Sequence, residues 1–224
     1  MCNALIGYFF CTFPLFLLRA QPLNTAKEDI LLWESFRKGD REAFATLFRN
    51  NYEILFRFGS KFTTNTSQLE DSIQELFVEL WQAKSRNTVV SVRAYLLKSL
   101  KYKLLKTFRQ TRITLPAGDS DGGFEFSHEH FLVAGEEEAE RKRLLLRALE
   151  QLSSRQKEII YLKYYQDLSY EEVSEIMNIN YQVARNLLYQ AIKSLKSRLP
   201  SSLQLIFLLS AIIVHYILDA ANTL

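Results

Sequence analysis

The chain has 224 residues, 28 Lys and Arg against 25 Asp and Glu, a formal net charge of +3 and 48% hydrophobic residues, which supports one or two folded domains and excludes a disordered acidic chain. Only 7 Gly and 4 Pro leave too little turn chemistry for an all-β sandwich, so long helices are expected. The 2 cysteines, Cys2 and Cys11, share one apolar stretch, which excludes a disulfide framework or a Cys-rich zinc site and makes a reducing compartment the default.

Residues 4 to 18 (ALIGYFFCTFPLFLL) are apolar, but no Lys or Arg precedes them, Pro14 interrupts them and no small-residue cleavage site follows, so they make a poor signal peptide. Residues 27 to 115 read as a series of helices. Phe44, Leu47, Phe48, Tyr52 and Leu55 recur at helical spacing behind Asp40, a cap residue. A second helix carries Leu69, Ile73, Leu76, Phe77, Leu80 and Trp81 on one stripe, with Thr66 or Ser67 as its cap and Glu70, Asp71, Gln74 and Glu75 outward. A third, from 91 to about 112, places Ala94, Leu97, Leu100 and Leu104 inward.

From 116 to 140 the composition changes: four Gly, eight carboxylates and no Lys or Arg mark an acidic, flexible linker. Residues 141 to 199 are helical again. Ser169 and Glu172 form a capping box opening a short helix (SYEEVSEIM), which breaks at Asn178, Ile179 and Asn180 and restarts at Tyr181 with Asn180 as cap. On the second of these helices Ala184, Leu188, Ala191 and Leu195 bury one face, leaving Gln182, Arg185, Asn186 and Tyr189 on the other. Asn178 is tolerable at the turn because Asn accepts a left-handed backbone.

The run 203 to 218 (LQLIFLLSAIIVHYIL) would be about 24 Å long as a helix at roughly 1.5 Å per residue, short of the ~30 Å hydrocarbon core. It is borderline between a membrane anchor and a packed terminal helix. Lys196 and Arg198 precede it and Arg19 and Lys27 follow the first apolar run, so the positive-inside rule keeps the middle of the chain cytoplasmic.

Two helices with a tight turn, the second showing Tyr181, Gln182, Arg185, Asn186 and Tyr189, suit docking into a DNA major groove. Arg185 can reach guanine or phosphate, Gln182 and Asn186 can pair with adenine, and Tyr181 or Tyr189 can touch a thymine methyl or a phosphate. The bland alternative is an ordinary solvated helix face. Between 93 and 112 stand Arg93, Lys98, Lys101, Lys103, Lys106, Arg109 and Arg112, without one Asp or Glu and with Tyr95, Tyr102 and Phe108 interleaved. Such a run neutralises phosphates and offers platforms for unstacked bases, although a solvated basic helix with its aromatics in the core has the same composition.

Enzymatic chemistry finds little footing. His128 and His130 fall in the linker and His215 in the apolar tail, no Gly-rich phosphate loop occurs, and no catalytic residue, metal site or cofactor is expected. The least poor catalytic reading is a metal-dependent nuclease using Asp71 and Glu75, one helical turn apart.

Two stretches carry a resemblance. GDREAFATLFRNNYEILFRF, LEDSIQELFVELW and RAYLLKSLKYKLLKTFR, in that order, resemble the promoter-melting domain of the extracytoplasmic-function (ECF) sigma factors, a group of the sigma-70 superfamily. LEQLSSRQKEIIYLKYYQDLSYEEVSEIMNINYQVARNLLYQAIKSLKSRL is similar to the same family's −35-reading domain. The resemblance covers about 28 to 112 and 142 to 199 and leaves both apolar tails outside. Because the family usually begins near Lys27, residues 1 to 26 are open to reading as a start-site artefact.

The resemblance implies an all-α chain of two small helical domains, a promoter-melting domain at 27 to 115 and a helix-turn-helix domain at 141 to 199. Asp71, Gln74 and Glu75 match the polar face that docks on core RNA polymerase. Lys98, Lys101, Tyr102, Lys106 and Arg109 match the helix facing the −10 element. Gln182, Arg185, Asn186 and Tyr189, with Tyr181 at the helix start, match the −35 reader. Tyr102 stands where many members have Asn, Glu79 where Arg is frequent, and Leu187 where a polar or basic residue is frequent; these departures bear on promoter preference. The implied partners are core RNA polymerase, promoter DNA and an anti-sigma factor, with membrane association through 203 to 218 as a further expectation for a cytoplasmic protein. The alternative reading is a membrane-tethered helix-turn-helix regulator that does not melt promoters.

Overall fold

A computed structural model describes residues 26–83, 88–114, 123–126 and 136–199. Both apolar tails lie outside the described residues, and among those described no helix is long and apolar enough to cross a membrane. Among the described residues eight α-helices follow one another: α1 (Ala26–Arg37), α2 (Arg41–Gly59), α3 (Thr66–Ala83), α4 (Val92–Thr114), α5 (Glu136–Glu150), α6 (Ser154–Ile160), α7 (Tyr170–Met177) and α8 (Tyr181–Arg198). Among the described residues there is no strand, so the fold is all-α as the composition required.

The helix starts are fixed by local chemistry. Gly39, at φ +94, turns the chain after α1, and the Asp40 carboxylate then accepts from the backbone N–H groups of Glu42 and Ala43 to open α2. For α3 the expected caps, Thr66 and Ser67, are replaced by Asn65, whose side-chain oxygen accepts from Gln68 N–H at 3.0 Å. Asn reaches the third N–H of a helix as well as Ser does, and here the helix simply starts one residue earlier. Ser91 caps α4 through Ala94 N–H at 3.2 Å.

The described residues within 22–127 and 168–184 form one compact unit. In it α1 to α4 pack around Trp33, Leu47, Leu55, Phe58, Leu69, Ile73, Leu97, Leu100 and Leu104, all nearly or wholly inaccessible. Burying a Leu, Ile or Phe side chain contributes about 1.5–3 kcal/mol, so the apolar stripes of α3 and α4 hold this unit together. Rings fill the space between helices: Phe48 meets Phe77 edge-on at 4.9 Å, and Phe44 lies 5.0 Å from Trp81. Gly59, at the end of α2, permits a close approach to α3, because a Cβ there would be driven into the Leu69 side chain.

Two parts of the stretch expected to be flexible linker have structure. Residues 123–126 lie on the first unit, where Glu125 N–H donates to Lys61 C=O at 2.8 Å and Phe124 is buried between Phe58 and Phe62. A lone aromatic between Gly123 and Glu125 gives no periodic signal; the buried ring and the Glu125 to Lys61 hydrogen bond together hold the segment. Helix α5 begins at Glu136, inside the range read as linker.

α7 also belongs to the first unit by its contacts, packing on α4, with Lys98 Nζ 3.0 Å from Glu175 Oε1. Grouping in space therefore places 168–184, a part of the stretch 141–199, with the first unit. The described residues within 128–167 and 185–224 form the second unit, with Leu149, Leu152, Ile159, Leu162, Leu188, Ala191 and Leu195 buried. Ser153 and Gln156 form a capping box at the start of α6. One π-helical turn, Tyr161–Tyr165, continues that helix, closed by Gln166, whose Nε2 donates to Tyr161 Oη at 2.9 Å.

Candidate nucleic-acid interface

α3 divides cleanly. Leu69, Ile73, Leu76, Phe77 and Leu80 are buried, and Asp71, Gln74 and Glu75 are exposed together at i, i+3 and i+4. Val78, at i+7 on the same face, is 53% exposed and gives the polar patch an apolar centre that a count of charges overlooks.

The basic helix α4 is less uniform than its composition implies. Lys98, Tyr102, Lys106 and Arg109 are all exposed at i, i+4, i+8 and i+11, which is one stripe. Tyr102 is 72% exposed, whereas Tyr95 is half-buried and edge-on to Trp33 at 5.3 Å. Lys101 is half-buried, turned partly off the stripe.

Lys103, counted among the phosphate-facing cations by composition, points to α3, where its Nζ lies 3.0 Å from Glu75 Oε2 and 2.8 Å from Glu79 Oε1. Burial alone would lower its pKa, and the hydrogen bonds and charges of Glu79 and Glu75 outweigh that, holding it above the usual lysine value. The signal was present in the spacing: Lys103 follows Leu96 by seven and Leu100 by three, on the buried side of the helix. Lys98 is likewise engaged within the protein, by Glu175. The side chain of Arg112 lies outside the described residues.

The turn expected before the reading helix is present in detail. Ser169 Oγ accepts from Glu172 N–H and the Glu172 carboxylate accepts from Ser169 N–H at 2.7 Å, the reciprocal pair of a capping box. Asn178 adopts φ 51, ψ 53 and ends α7. Asn180 Oδ1 accepts from Val183 N–H at 2.8 Å and starts α8. Ala184, Leu188, Ala191 and Leu195 are buried; Tyr181, Gln182, Asn186 and Tyr189 are exposed, while Arg185 and Leu187 are half-buried. Exposed amide and phenol groups along two helical turns present hydrogen-bonding edges of the kind that read base pairs.

Among the described residues no group of three or more His, Cys, Asp or Glu could hold a metal ion. His128, His130 and His215 lie outside those residues. The Asp71 and Glu75 pair weighed for a nuclease metal is compromised by Lys103, because an ammonium bound to Glu75 repels a divalent cation at the same carboxylate.

Comparison with known proteins gives the family. The chain matches Sigma-70 region 2 over residues 47–113 and Sigma-70, region 4 over residues 142–195. It is 23% identical over 174 residues to the ECF RNA polymerase sigma factor SigK of Mycobacterium ulcerans (strain Agy99), covering 76% of this chain and 93% of that protein. It is 26% identical over 165 residues to the ECF RNA polymerase sigma factor SigL of Mycobacterium tuberculosis, covering 70% of this chain and 92% of that protein. In three dimensions the fold resembles CnrH, solved in complex with the cytosolic domain of CnrY, with a TM-score of 0.52 at 18% identity over 76% of this chain and 96% of that one. It also resembles RpoE of Bartonella quintana, solved with the anti-sigma factor NepR, with a TM-score of 0.52 at 20% identity, 70% of this chain and 96% of the other. Two helical regions that match Sigma-70 region 2 and Sigma-70, region 4 define a transcription initiation factor of the sigma type. This chain belongs to the ECF sigma factors of the sigma-70 family.

Proposed function

We propose that this sigma factor binds core RNA polymerase through Asp71, Gln74 and Glu75 on α3, places Tyr181, Gln182, Arg185, Asn186 and Tyr189 of α8 on the −35 element, and uses α4 to capture the −10 strand as it opens. Lys101, Lys106 and Arg109, joined by Lys98 once it leaves Glu175, neutralise phosphates along that strand, and Tyr102 offers the ring on which an unstacked base rests. The chain catalyses no reaction itself and works in the cytoplasm, where polymerase is. The observation that carries the reading is Tyr102: a ring 72% exposed between Lys98 and Lys106 contributes little to folding and presents a face on which a base can stack.

An anti-sigma factor is the proposed regulatory partner, supported by the complex of its structural relative with NepR. The test is run-off transcription by purified core polymerase on a promoter library with and without residues 24 to 200, using permanganate to detect opened thymines. Discrete starts with opened bases near −10, lost in the D71A/Q74A double variant, are expected. Duplex binding with neither polymerase capture nor opening would instead make the protein a helix-turn-helix regulator.

A further inference from the structure

The docking face of α3 is braced from beneath by a residue of the neighbouring helix. Glu75 and Glu79 stand four apart on α3, a spacing at which like charges repel. Lys103 of α4 inserts its ammonium between them, at 3.0 and 2.8 Å, with its own side chain only 15% exposed while those of the glutamates are 68% and 65% exposed. The lysine is thus held largely inside, and the carboxylates are held at the surface. An exposed glutamate without such a partner samples many rotamers and must be ordered when a partner protein arrives.

We propose that Lys103 is a positioning residue for polymerase docking: it pre-orients the Glu75 carboxylate so that the α3 face meets core polymerase already ordered. The inference rests on the reading of α3 as the docking helix. Lys103 grips Glu75 through Oε2, and a carboxylate has lone pairs to spare for a donor on the partner. Ordering one rotamer-rich side chain at an interface costs about 2- to 10-fold in affinity, which is the gain that pre-ordering returns.

The sign of the effect separates this role from simple electrostatics. Removing Lys103 makes the face more negative, so charge alone predicts tighter binding to a basic partner surface. Positioning predicts weaker binding. The full chain, labelled at its C-terminus, is titrated onto purified bacterial core RNA polymerase as wild type, K103M, K103R, E75Q, E75Q/K103M and D71A/Q74A, with melting curves recorded for each.

The expected result is about 3- to 10-fold weaker binding for K103M, near-normal binding for K103R, and E75Q/K103M no weaker than E75Q alone. If K103M does not fold, K103Q takes its place under the same prediction. Unchanged or tighter binding by K103M, with D71A/Q74A clearly weakened, would overturn the positioning role while leaving the docking helix in place. Unchanged binding by D71A/Q74A would overturn the docking reading and this inference with it.

Discussion

The ring of Phe124 meets that of Phe62 edge-on, 5.4 Å between centroids at 86°, and so ties a four-residue piece of an acidic stretch to the end of α2. Phe58 lies 6.3 Å away on one side and Phe126 5.7 Å away on the other. Truncating a buried Phe to Ala costs about 3–5 kcal/mol through lost burial and the cavity left behind. Phe124→Ala is therefore expected to lower the stability of the first unit by about 3 kcal/mol, and Phe126→Ala, at a half-buried position, by distinctly less. Urea unfolding followed by tryptophan fluorescence checks this, because both tryptophans, Trp33 and Trp81, lie in that unit.

Gly59 should resist replacement although it sits in a helix. Ala in place of Gly gains up to about 1 kcal/mol of helix propensity. Here the added Cβ would collide with Leu69 Cδ1, and Leu69 is completely buried, so the neighbour has nowhere to go. Overpacking of this kind costs about 1–3 kcal/mol. A lower midpoint in the same urea titration is expected for Gly59→Ala, and a raised midpoint would show that α2 and α3 separate without cost.

The apolar stripes and the punctuation residues were legible in the sequence, and the pairings between helices were not. Leu69, Ile73, Leu97, Leu100, Ala184 and Leu188 are buried where their periodicity placed them, and Asp40, Ser169, Asn178 and Asn180 act as caps or turn residues. Those features depend on neighbours within one or two helical turns. Lys103 looked like one cation in a run of seven because its partners, Glu75 and Glu79, are 24 to 28 residues distant in sequence. Lys98 has its partner 77 residues away, and Phe124 depends on a site at the end of α2 that no local pattern announces. The docking, −10 and −35 residues were named from spacing and resemblance together; the structure shows where their side chains lie, and Lys101 and Arg185 are half-buried.

Alkaline pH should dissolve the Lys103 bridge. The folded-state pKa of this lysine is raised above its ordinary value of 10.5, so the stability its pairing contributes is fully present below 10.5 and is lost as pH rises through the higher folded value. The stability gap between wild type and Lys103→Met is therefore expected to stay constant from neutral pH to about pH 9.5 and to shrink above the ordinary lysine value. Paired urea titrations at pH 7, 9 and 11.5 measure it. A gap unchanged at the highest pH would mean that the lysine and methionine side chains differ in packing, with the charge incidental.

Phosphate contacts and base contacts predict different signatures in the assembled holoenzyme. On the proposed reading Lys106→Ala removes one charge facing a phosphate of the opened strand, so binding should weaken to a similar degree on all promoters and the logarithmic salt slope should fall by about 0.7. Asn186→Ala removes an amide that the proposed function assigns to base reading. It should cost about 1–3 kcal/mol on the preferred −35 sequence and little on a sequence mismatched at that position. Affinities over a salt series, on matched and mismatched promoters, separate the two; a sequence-independent loss for Asn186→Ala would assign that side chain to the backbone.

Tyr102 carries the sharpest consequence because its ring and its hydroxyl can be tested apart. Stacking of a base on an aromatic side chain contributes about 1–3 kcal/mol, and a ring 72% exposed loses almost no packing when removed. Tyr102→Ala should leave the melting temperature and closed-promoter binding near wild type while reducing permanganate reactivity near −10 by about tenfold. Tyr102→Phe should retain most of the opening if the face of the ring holds the base, since both rings present the same π surface. Loss of opening in Tyr102→Phe equal to that in Tyr102→Ala would transfer the role to the hydroxyl, making Tyr102 a hydrogen-bonding reader in the position where many members of the family carry Asn.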